Sequence, residues 1–343
     1  MNYRYLKKKF KNQKILITGH TGFKGSYILS FLSYLEAKIL GISDKKFKNY
    51  NELKLKINSK IFDLNNKNKI NKNISSFKPK YIFHLAAQSI VYKAIKDPSL
   101  TWNSNLASTI NLLTSAKQIS SVKYIIVITT DKVYENDNKS KYKKENDILK
   151  GDNSYSMSKV GVENYVKYFA KRNKNIKIIT VRAGNVLGGG DWSEKRLVPD
   201  IARSIIKKKH LKLRSTSSIR PWTHVLDCVH GYLYLASRMN ENIIETGSSW
   251  NISNIEKKSF STSDIINLFQ KKLKFKTIKE KNIFDEKKIL MLDSEKINKK
   301  LGWRPLYKFS KCIDLTIDWY YEYIYRKKNL TKKHVKNYLN ERI

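Results

Sequence analysis

Two short segments of this 343-residue chain carry side chains whose types and spacing suit proton and hydride chemistry. Tyr155 and Lys159 stand four positions apart in the run YSMSK, which places both on one face of a helix. A phenol has an ordinary pKa of about 10 and is a poor base at neutral pH. A neighbouring ammonium favours the phenolate, so the pair suits removal of a hydroxyl proton while hydride leaves the same carbon. Upstream, Thr130-Asp131-Lys132 closes an apolar run over 124–130. A hydroxyl, a carboxyl and an amine at a strand end offer a hydrogen bond to a reacting oxygen and an acid–base pair beside it. Tyr-x-x-x-Lys arises readily by chance in a chain with 21 tyrosines, so the pair takes its weight from what surrounds it.

The element that must bring a hydride acceptor to that pair lies near the N-terminus. Lys14–Thr18, KILIT, runs into Gly19-His-Thr21-Gly22-Phe23-Lys24-Gly25. Glycines spaced GxxGxxG are a weak signal alone, but these follow a buried-type strand and open a helix, the context a dinucleotide loop requires. They let backbone amides approach a pyrophosphate at the positive end of the helix. Asp44 lies 19 residues after Gly25, at the end of the second apolar run. A carboxylate there accepts hydrogen bonds from ribose hydroxyls and repels a 2′-phosphate, which favours NAD. Lys45 and Lys46 follow directly and soften that discrimination. Asp63-Leu64 is a weaker candidate for the adenine end.

Apolar runs at 14–18, 38–42, 81–87, 124–130 and 176–182 alternate with helical patterns at 26–35, 98–118 and 155–172. Nearly all-apolar strands separated by helices predict an α/β fold, a doubly wound parallel sheet covered on both faces. After about residue 184 the alternation becomes irregular. The pattern predicts a nucleotide-binding domain over 1–184, to which 225–253 returns, and a smaller C-terminal α/β substrate domain from 185–224 and 254–325. Helices are expected at 263–273 and 315–325. The polar tail, 326–343, is expected to be poorly ordered.

Hydrophobic residues make up 41% of the chain, enough for a sizeable core. Cys228 and Cys312 are the only cysteines, so neither a disulfide framework nor a cysteine metal cluster is expected, and no metal. No apolar stretch of about 18 residues is present, and a cytoplasmic protein is expected. The net charge of +40 raises nucleic-acid or anionic-membrane binding as an alternative. The lysines are scattered rather than gathered in a tract, and Arg is scarce. The charge therefore predicts neither nucleic-acid nor membrane binding, though the field helps attract an anionic small substrate.

Several strings together resemble the extended short-chain dehydrogenase/reductase family of nucleotide-sugar enzymes, and within it the 4,6-dehydratases, in particular the branch acting on CDP-glucose. They are GHTGFKGS at 19–26, HLAAQ at 84–88, Thr130-Asp131-Lys132, YSMSK at 155–159, RAGNVLGGGDW at 182–192 and Arg220-Pro-Trp222, with LDSEK at 292–296 and LGWRP at 301–305. The likeness covers 13–325. It implies NAD as cofactor and a redox-neutral dehydration. Tyr155 takes the 4-hydroxyl proton as C4 is oxidised, a base removes the C5 proton, an acid protonates the departing 6-hydroxyl, and hydride returns to C6. It makes Thr130 a partner of the reacting oxygen and Asp131 the acid. Lys132 stands at the position of the C5 base, where many relatives hold glutamate; Glu135 is close enough in sequence to be an alternative. Ala86 and Ala87 join the cofactor residues, while Gln88, Asn105, Asn185, Arg196 and Arg220 fall at substrate-binding positions. Asn105 is expected to position backbone or water near the Tyr155 helix, and His84 to end a strand rather than do chemistry. The run 88–94 departs from the family's pattern. A homodimer through the helices at 98–118 and 155–172 is implied. Within the family, a C5-inverting dehydratase of UDP-N-acetylglucosamine and an epimerase are the nearest rivals; an epimerase needs no acid–base pair at 131–132.

Overall fold

In KILIT every residue after Lys14 is buried, and alternate side chains enter different cores. Ile15 and Ile17 face one layer of helices and Leu16 the other, as the period of two in a strand requires. The computed structural model describes residues 3–135, 142–213, 217–254, 256, 260–280 and 290–342. Its main sheet contains β1 (Lys14–Thr18), β2 (Lys38–Ser43), β3 (Asn58–Ile61), β4 (Tyr81–His84), β5 (Tyr124–Ile128), β6 (Lys177–Ala183) and β7 (Ser249–Ile252). The order is β7-β6-β5-β4-β1-β2-β3, and every neighbouring pair is parallel. The chain reverses its direction of travel across the sheet between β1 and β4. Ligands of open α/β sheets bind at such a switch point, beyond the carboxyl ends of the strands.

One face of the sheet is covered by Phe23–Tyr34 and Val225–Arg238, whose buried residues share a core with Ile15, Ile17, Ile126, Val181 and Ile252. The other is covered by Lys67–Phe77, Ser108–Ala116 and Ser154–Arg172, which pack on Leu16, Ile82, Ile125, Val127 and Ile178. A third core belongs to the second unit. It joins Leu197–Ile206, Thr262–Gln270 and Phe309–Arg326 through Ile201, Ile265, Phe269, Ile313, Ile317 and Trp319. Among the described residues no helix is long and apolar enough to cross a membrane.

Two expectations about the C-terminal part are corrected. The segment 326–343 is not a loose tail: Thr331–Glu341 is a helix with Thr331, His334, Val335, Tyr338 and Leu339 buried. It packs on Phe23–Tyr34, with the Phe31 and Tyr338 rings in edge contact at 5.8 Å. Its lysines face outward, so overall polarity hid a narrow apolar stripe. The second unit also does not hold all of 254–325, since Ile297, Leu301, Trp303 and Tyr307 enter the core of the sheet.

Asp227, buried on Val225–Arg238, ties these returning segments down. Its carboxylate accepts the Tyr338 hydroxyl at 2.6 Å, the Leu306 amide at 2.6 Å, the Tyr307 amide at 3.1 Å and the Arg342 guanidinium at 3.2 Å. Burial pushes this carboxyl above its ordinary pKa, and those four partners pull it back. Tyr338→Ala should lower unfolding free energy by about 3–5 kcal/mol in urea titrations, as large aromatic truncations in cores do; a loss below about 1 kcal/mol would mean the helix is not docked.

Candidate active site

The glycine loop is shaped by what lies behind it. Gly19 has φ +72°, and a Cβ there would stand 2.7 Å from the Ala86 amide nitrogen. Only glycine lets β1 and the exit of β4 come so close. Thr21 ties the loop to the end of β2, donating its hydroxyl to the Lys45 carbonyl at 2.6 Å, while its amide donates to Ser43 Oγ at 3.2 Å. His20 is buried between Ser43 and Ser59, at 2.9 and 2.8 Å, and burial pushes its pKa down to about 4. The helix Phe23–Tyr34 begins at Gly22 with no side-chain cap. Its first amides are therefore available to an anion, and the loop fits a dinucleotide diphosphate. Phe23 packs edge-on to Tyr27, and the Lys24 ammonium donates to the Tyr232 hydroxyl at 3.3 Å.

Asp44 is exposed just past β2, beside the Thr21 staple. Asp63 is exposed and accepts the Asn65 amide at 2.8 Å in a local turn, while Leu64 is buried in the core. Ala86 and Ala87 are half-buried at the exit of β4. His84 is buried between the Thr18 and Thr109 hydroxyls, at 2.6 and 2.8 Å, and burial pushes its pKa down to about 3. It is a strand-end residue committed to neighbours.

The helix Ser154–Arg172 opens with a reciprocal cap between Asn153 and Ser156, which fixes where its first turn begins. Tyr155 and Lys159 on this helix are both buried. The Lys159 ammonium donates to the Ile128 carbonyl of β5 at 3.3 Å. Burial lowers its pKa to about 8, against support from Glu163 and together with repulsion from Lys24. Burial raises the pKa of the Tyr155 phenol; the groups pulling it back are Thr130, through a hydrogen bond, and Arg196.

Thr130 caps the short turn Asp131–Val133 directly after β5, its hydroxyl accepting the Lys132 amide at 3.3 Å and donating to Asp131 Oδ1 at 3.1 Å. Asp131 is 2% exposed, and its Oδ2 has no hydrogen-bond partner among the described residues. Burial raises its pKa above the ordinary carboxyl value, opposed by Lys132, Thr130, Arg220 and Lys24. Lys132 is half-buried beside Asp131. Glu135 is turned away, with Oε1 2.9 Å from Lys150 Nζ at the surface.

The substrate candidates divide. Arg220 lies within electrostatic reach of Asp131 and lines a cavity with Tyr142, Pro221, Trp222 and Asn254. Arg196 is 38% exposed, 3.6 Å from Asp191, and donates to Ser89 at 3.3 Å. Asn185 is half-buried, and its carbonyl accepts the Thr223 amide at 3.1 Å. Gln88 and Asn105 do not fit direct contact. Asn105 is fully buried; its amide bridges the Gln88 backbone, at 2.8 and 3.1 Å, and Ser158 at 2.9 Å. The Gln88 side chain bonds Ile90 and Thr101. Asn105 thus positions the backbone at the exit of β4 against the Tyr155 helix, as expected of it, while the Gln88 amide is taken up by Ile90 and Thr101.

Three residues that sequence reasoning passed over belong to the site. Glu163 and Arg182 form a fully buried ion pair beneath Lys159. Gly184, just past β6, leaves room for the Asp131 carboxyl: a Cβ there would lie 2.5 Å from Pro221 Cγ and 3.0 Å from Asp131 Oδ2. A charged residue inside the apolar run KIITVRA was the one signal available for Arg182.

Sheet order, glycine loop and the tyrosine–lysine helix define an extended short-chain dehydrogenase/reductase fold. The chain matches the family model described as GDP-mannose 4,6 dehydratase over residues 16–316, and it belongs to that family. A protein of Salmonella typhimurium named CDP-glucose 4,6-dehydratase is 30% identical, with 96% of this chain and 97% of that protein aligned. Among solved structures, dTDP-glucose 4,6-dehydratase from Streptomyces venezuelae, with NAD bound, superposes with a TM-score of 0.80 at 20% identity, covering 90% of this chain and 97% of that one. UDP-glucose 4-epimerase from Thermus thermophilus, in complex with NAD, gives 0.80 at 20% identity, covering 90% and 99%. At that identity the two structures share the fold.

Gly184→Ala should lower stability by about 1–3 kcal/mol, as overpacking does, and lower turnover by about tenfold or more by displacing Asp131. Urea titration and steady-state rates check this; an unchanged rate would mean that Asp131 does not need the space.

Proposed function

We propose that this chain is an NAD-dependent nucleotide-sugar 4,6-dehydratase that converts CDP-glucose to CDP-4-dehydro-6-deoxy-glucose and water. The observation that carries the reading is the buried carboxyl of Asp131, with an unpartnered oxygen, at the strand end beside Tyr155. A dehydrogenase or an epimerase uses a tyrosine–lysine pair but has no need of a buried carboxyl group there. The choice of CDP-glucose is supported by the Salmonella relative, aligned over nearly the whole of both chains, and by the GHTGFKGS string.

The amides of the Gly19–Gly25 loop would hold the cofactor's diphosphate, Asp44 its adenosine ribose, and Lys159 the ribose next to the nicotinamide. When bound, NAD would take the C4 hydride and give it back at C6, which makes the reaction redox-neutral. Tyr155 accepts the 4-hydroxyl proton on its phenolic oxygen, and Thr130 orients that oxygen. The C4 ketone acidifies the C5 proton, and Lys132 stands where a base is needed to take it. A lysine acts as a base only in its neutral form. Asp131 gives its proton to the departing 6-hydroxyl, which leaves as water, and a C5–C6 double bond forms. As C6 gains hydride, the proton held by Lys132 returns to C5. Solvent exchange moves the proton gained by Tyr155 back to Asp131. Arg220 and Arg196 supply charge for the substrate diphosphate.

The same reading makes the protein a cytoplasmic homodimer. Leu100, Met157 and Tyr168 support the dimer: each is about half exposed, and they lie on the two stretches of helix expected to pair. Two free, buried cysteines accord with a reducing compartment.

Purified protein given CDP-glucose, UDP-glucose, dTDP-glucose and UDP-N-acetylglucosamine should lose one water from CDP-glucose, seen by mass spectrometry. Water loss from another sugar alone would overturn the substrate, and loss from none would overturn the reaction. Asp131→Asn should reduce turnover by about a hundredfold or more while binding NAD like the parent.

The pH dependence follows from Lys159. Its folded pKa is lowered to about 8, so its charge is present below that value and lost as pH rises through it. Cofactor affinity should hold across neutral pH and weaken above about 8. An affinity that stays level to pH about 10, the ordinary lysine value, would show that the ammonium does not bind the cofactor.

A further inference from the structure

We propose that Glu163 is a positioning residue for this reaction: paired with Arg182, its buried carboxylate holds the Tyr155–Lys159 helix face in register with the Thr130–Lys132 strand end. Its kinetic consequences rest on the dehydratase reading, whereas its effect on cofactor binding rests only on the glycine loop and Lys159.

Glu163 lies one helical turn beyond Lys159 and two beyond Tyr155, on the same buried face. Its Oε1 accepts the Thr129 hydroxyl at 2.5 Å, and Thr129 is the residue immediately before Thr130. Its Oε2 accepts the hydroxyls of Thr180 on β6 at 2.7 Å and Ser249 on β7 at 3.1 Å. The Arg182 guanidinium closes the set, with Nε 3.0 Å from Oε1 and Nη2 2.8 Å from Oε2. One carboxylate thus ties the helix carrying the oxidation pair to the strand end carrying the acid. A slide of the helix along its axis would break several of these bonds at once, so the relation of Tyr155 to Asp131 is set from below.

The second consequence is electrostatic. The groups acting on Lys159 are Glu163 on its own helix, Lys24 on the dinucleotide helix and the neutral His84 on β4, with Tyr155 one turn away. Of these, only Glu163 supports the cation, and Lys24 opposes it. Removing the Glu163 charge leaves a buried ammonium facing Lys24 and, below it, an unpaired Arg182.

The test uses Glu163→Gln and Thr129→Val in the full chain. NAD affinity is followed by quenching of tryptophan fluorescence across pH, and kcat and KM are measured with CDP-glucose. In Glu163→Gln the pH above which NAD binding weakens should fall by roughly one unit, and kcat should fall by about tenfold or more at unchanged KM. Thr129→Val removes one bond of the clamp and no charge, so kcat should fall while the binding profile stays where it was. A folded Glu163→Gln with the parent's binding profile and kcat overturns the proposal. If Glu163→Gln shows no cooperative melt, Thr129→Val decides: the parent's kcat overturns the clamp, and a lowered kcat at the parent's KM supports it. If the parent turns over none of the four sugars, the dehydratase reading fails and the NAD-binding profile alone decides the role of Glu163.

Discussion

The rest of the structure depends on the ion pair between Glu163 and Arg182, both fully buried. Taking two charges out of water costs several kcal/mol per ion, and attraction between them offsets this only when the remaining donors and acceptors are also satisfied. Here they are. Glu163 accepts from Thr129, Thr180, Ser249 and twice from Arg182, and the free edge of Arg182 donates to the Tyr134 hydroxyl at 2.8 Å and the Glu145 carbonyl at 3.0 Å. Burial acts to raise the Glu163 pKa, yet these partners hold it below the ordinary value, so the carboxylate is charged in the fold. The network extends through Tyr134 to Asn251 on β7 and, through Glu145, to the backbone of the same strand. Three strands and the catalytic helix therefore meet at one point.

Above that point two buried ionisable groups meet different surroundings. Asp131 has an unpartnered oxygen and burial raises its pKa, while Lys159, as deeply buried, has a carboxylate one turn away supporting its charge. Environments that separate the protonation states of neighbouring groups assign their acid and base roles. Gly184 supports the first environment by leaving space around the carboxyl, and Glu163 the second. Neither touches the chemistry directly, and both lie immediately beneath it.

What was legible in the sequence was what depends on local pattern. The apolar run KILIT, the glycines of the loop and the four-residue spacing of Tyr155 and Lys159 need no distant partner to be read, and the parallel sheet follows from such runs alternating with helices. The rest depended on pairings made across the fold. Arg182 shows in the sequence as an anomaly inside an apolar run, but the strand does not say that its partner is 19 residues back on a helix. Gln88 looks like a free amide in the sequence, yet the fold commits its side chain to Ile90 and Thr101 while Asn105 takes up its backbone. In TKKHVKNYLNE the lysines outweigh three core residues in any average, and the stripe of Val335, Tyr338 and Leu339 shows only at helical spacing.

The loop 188–192 settles how the second unit meets this site. A Cβ on Gly189 would fall 1.8 Å from Trp319 Cγ, so the loop passes directly against Phe309–Arg326 of the second unit. The Tyr27 hydroxyl, from the dinucleotide helix, donates to the Gly189 carbonyl at 3.0 Å, and the Tyr320 hydroxyl donates to the Asp191 carbonyl at 2.6 Å. The Lys48 ammonium stands 4.6 Å from the centre of the Trp192 ring and 4.9 Å from that of Tyr323. The loop is thus held from the cofactor side and the substrate side at once, by hydrogen bonds and aromatic packing rather than by a hinge. Closure around a ligand would have to break these contacts together, so the joint favours a preformed site.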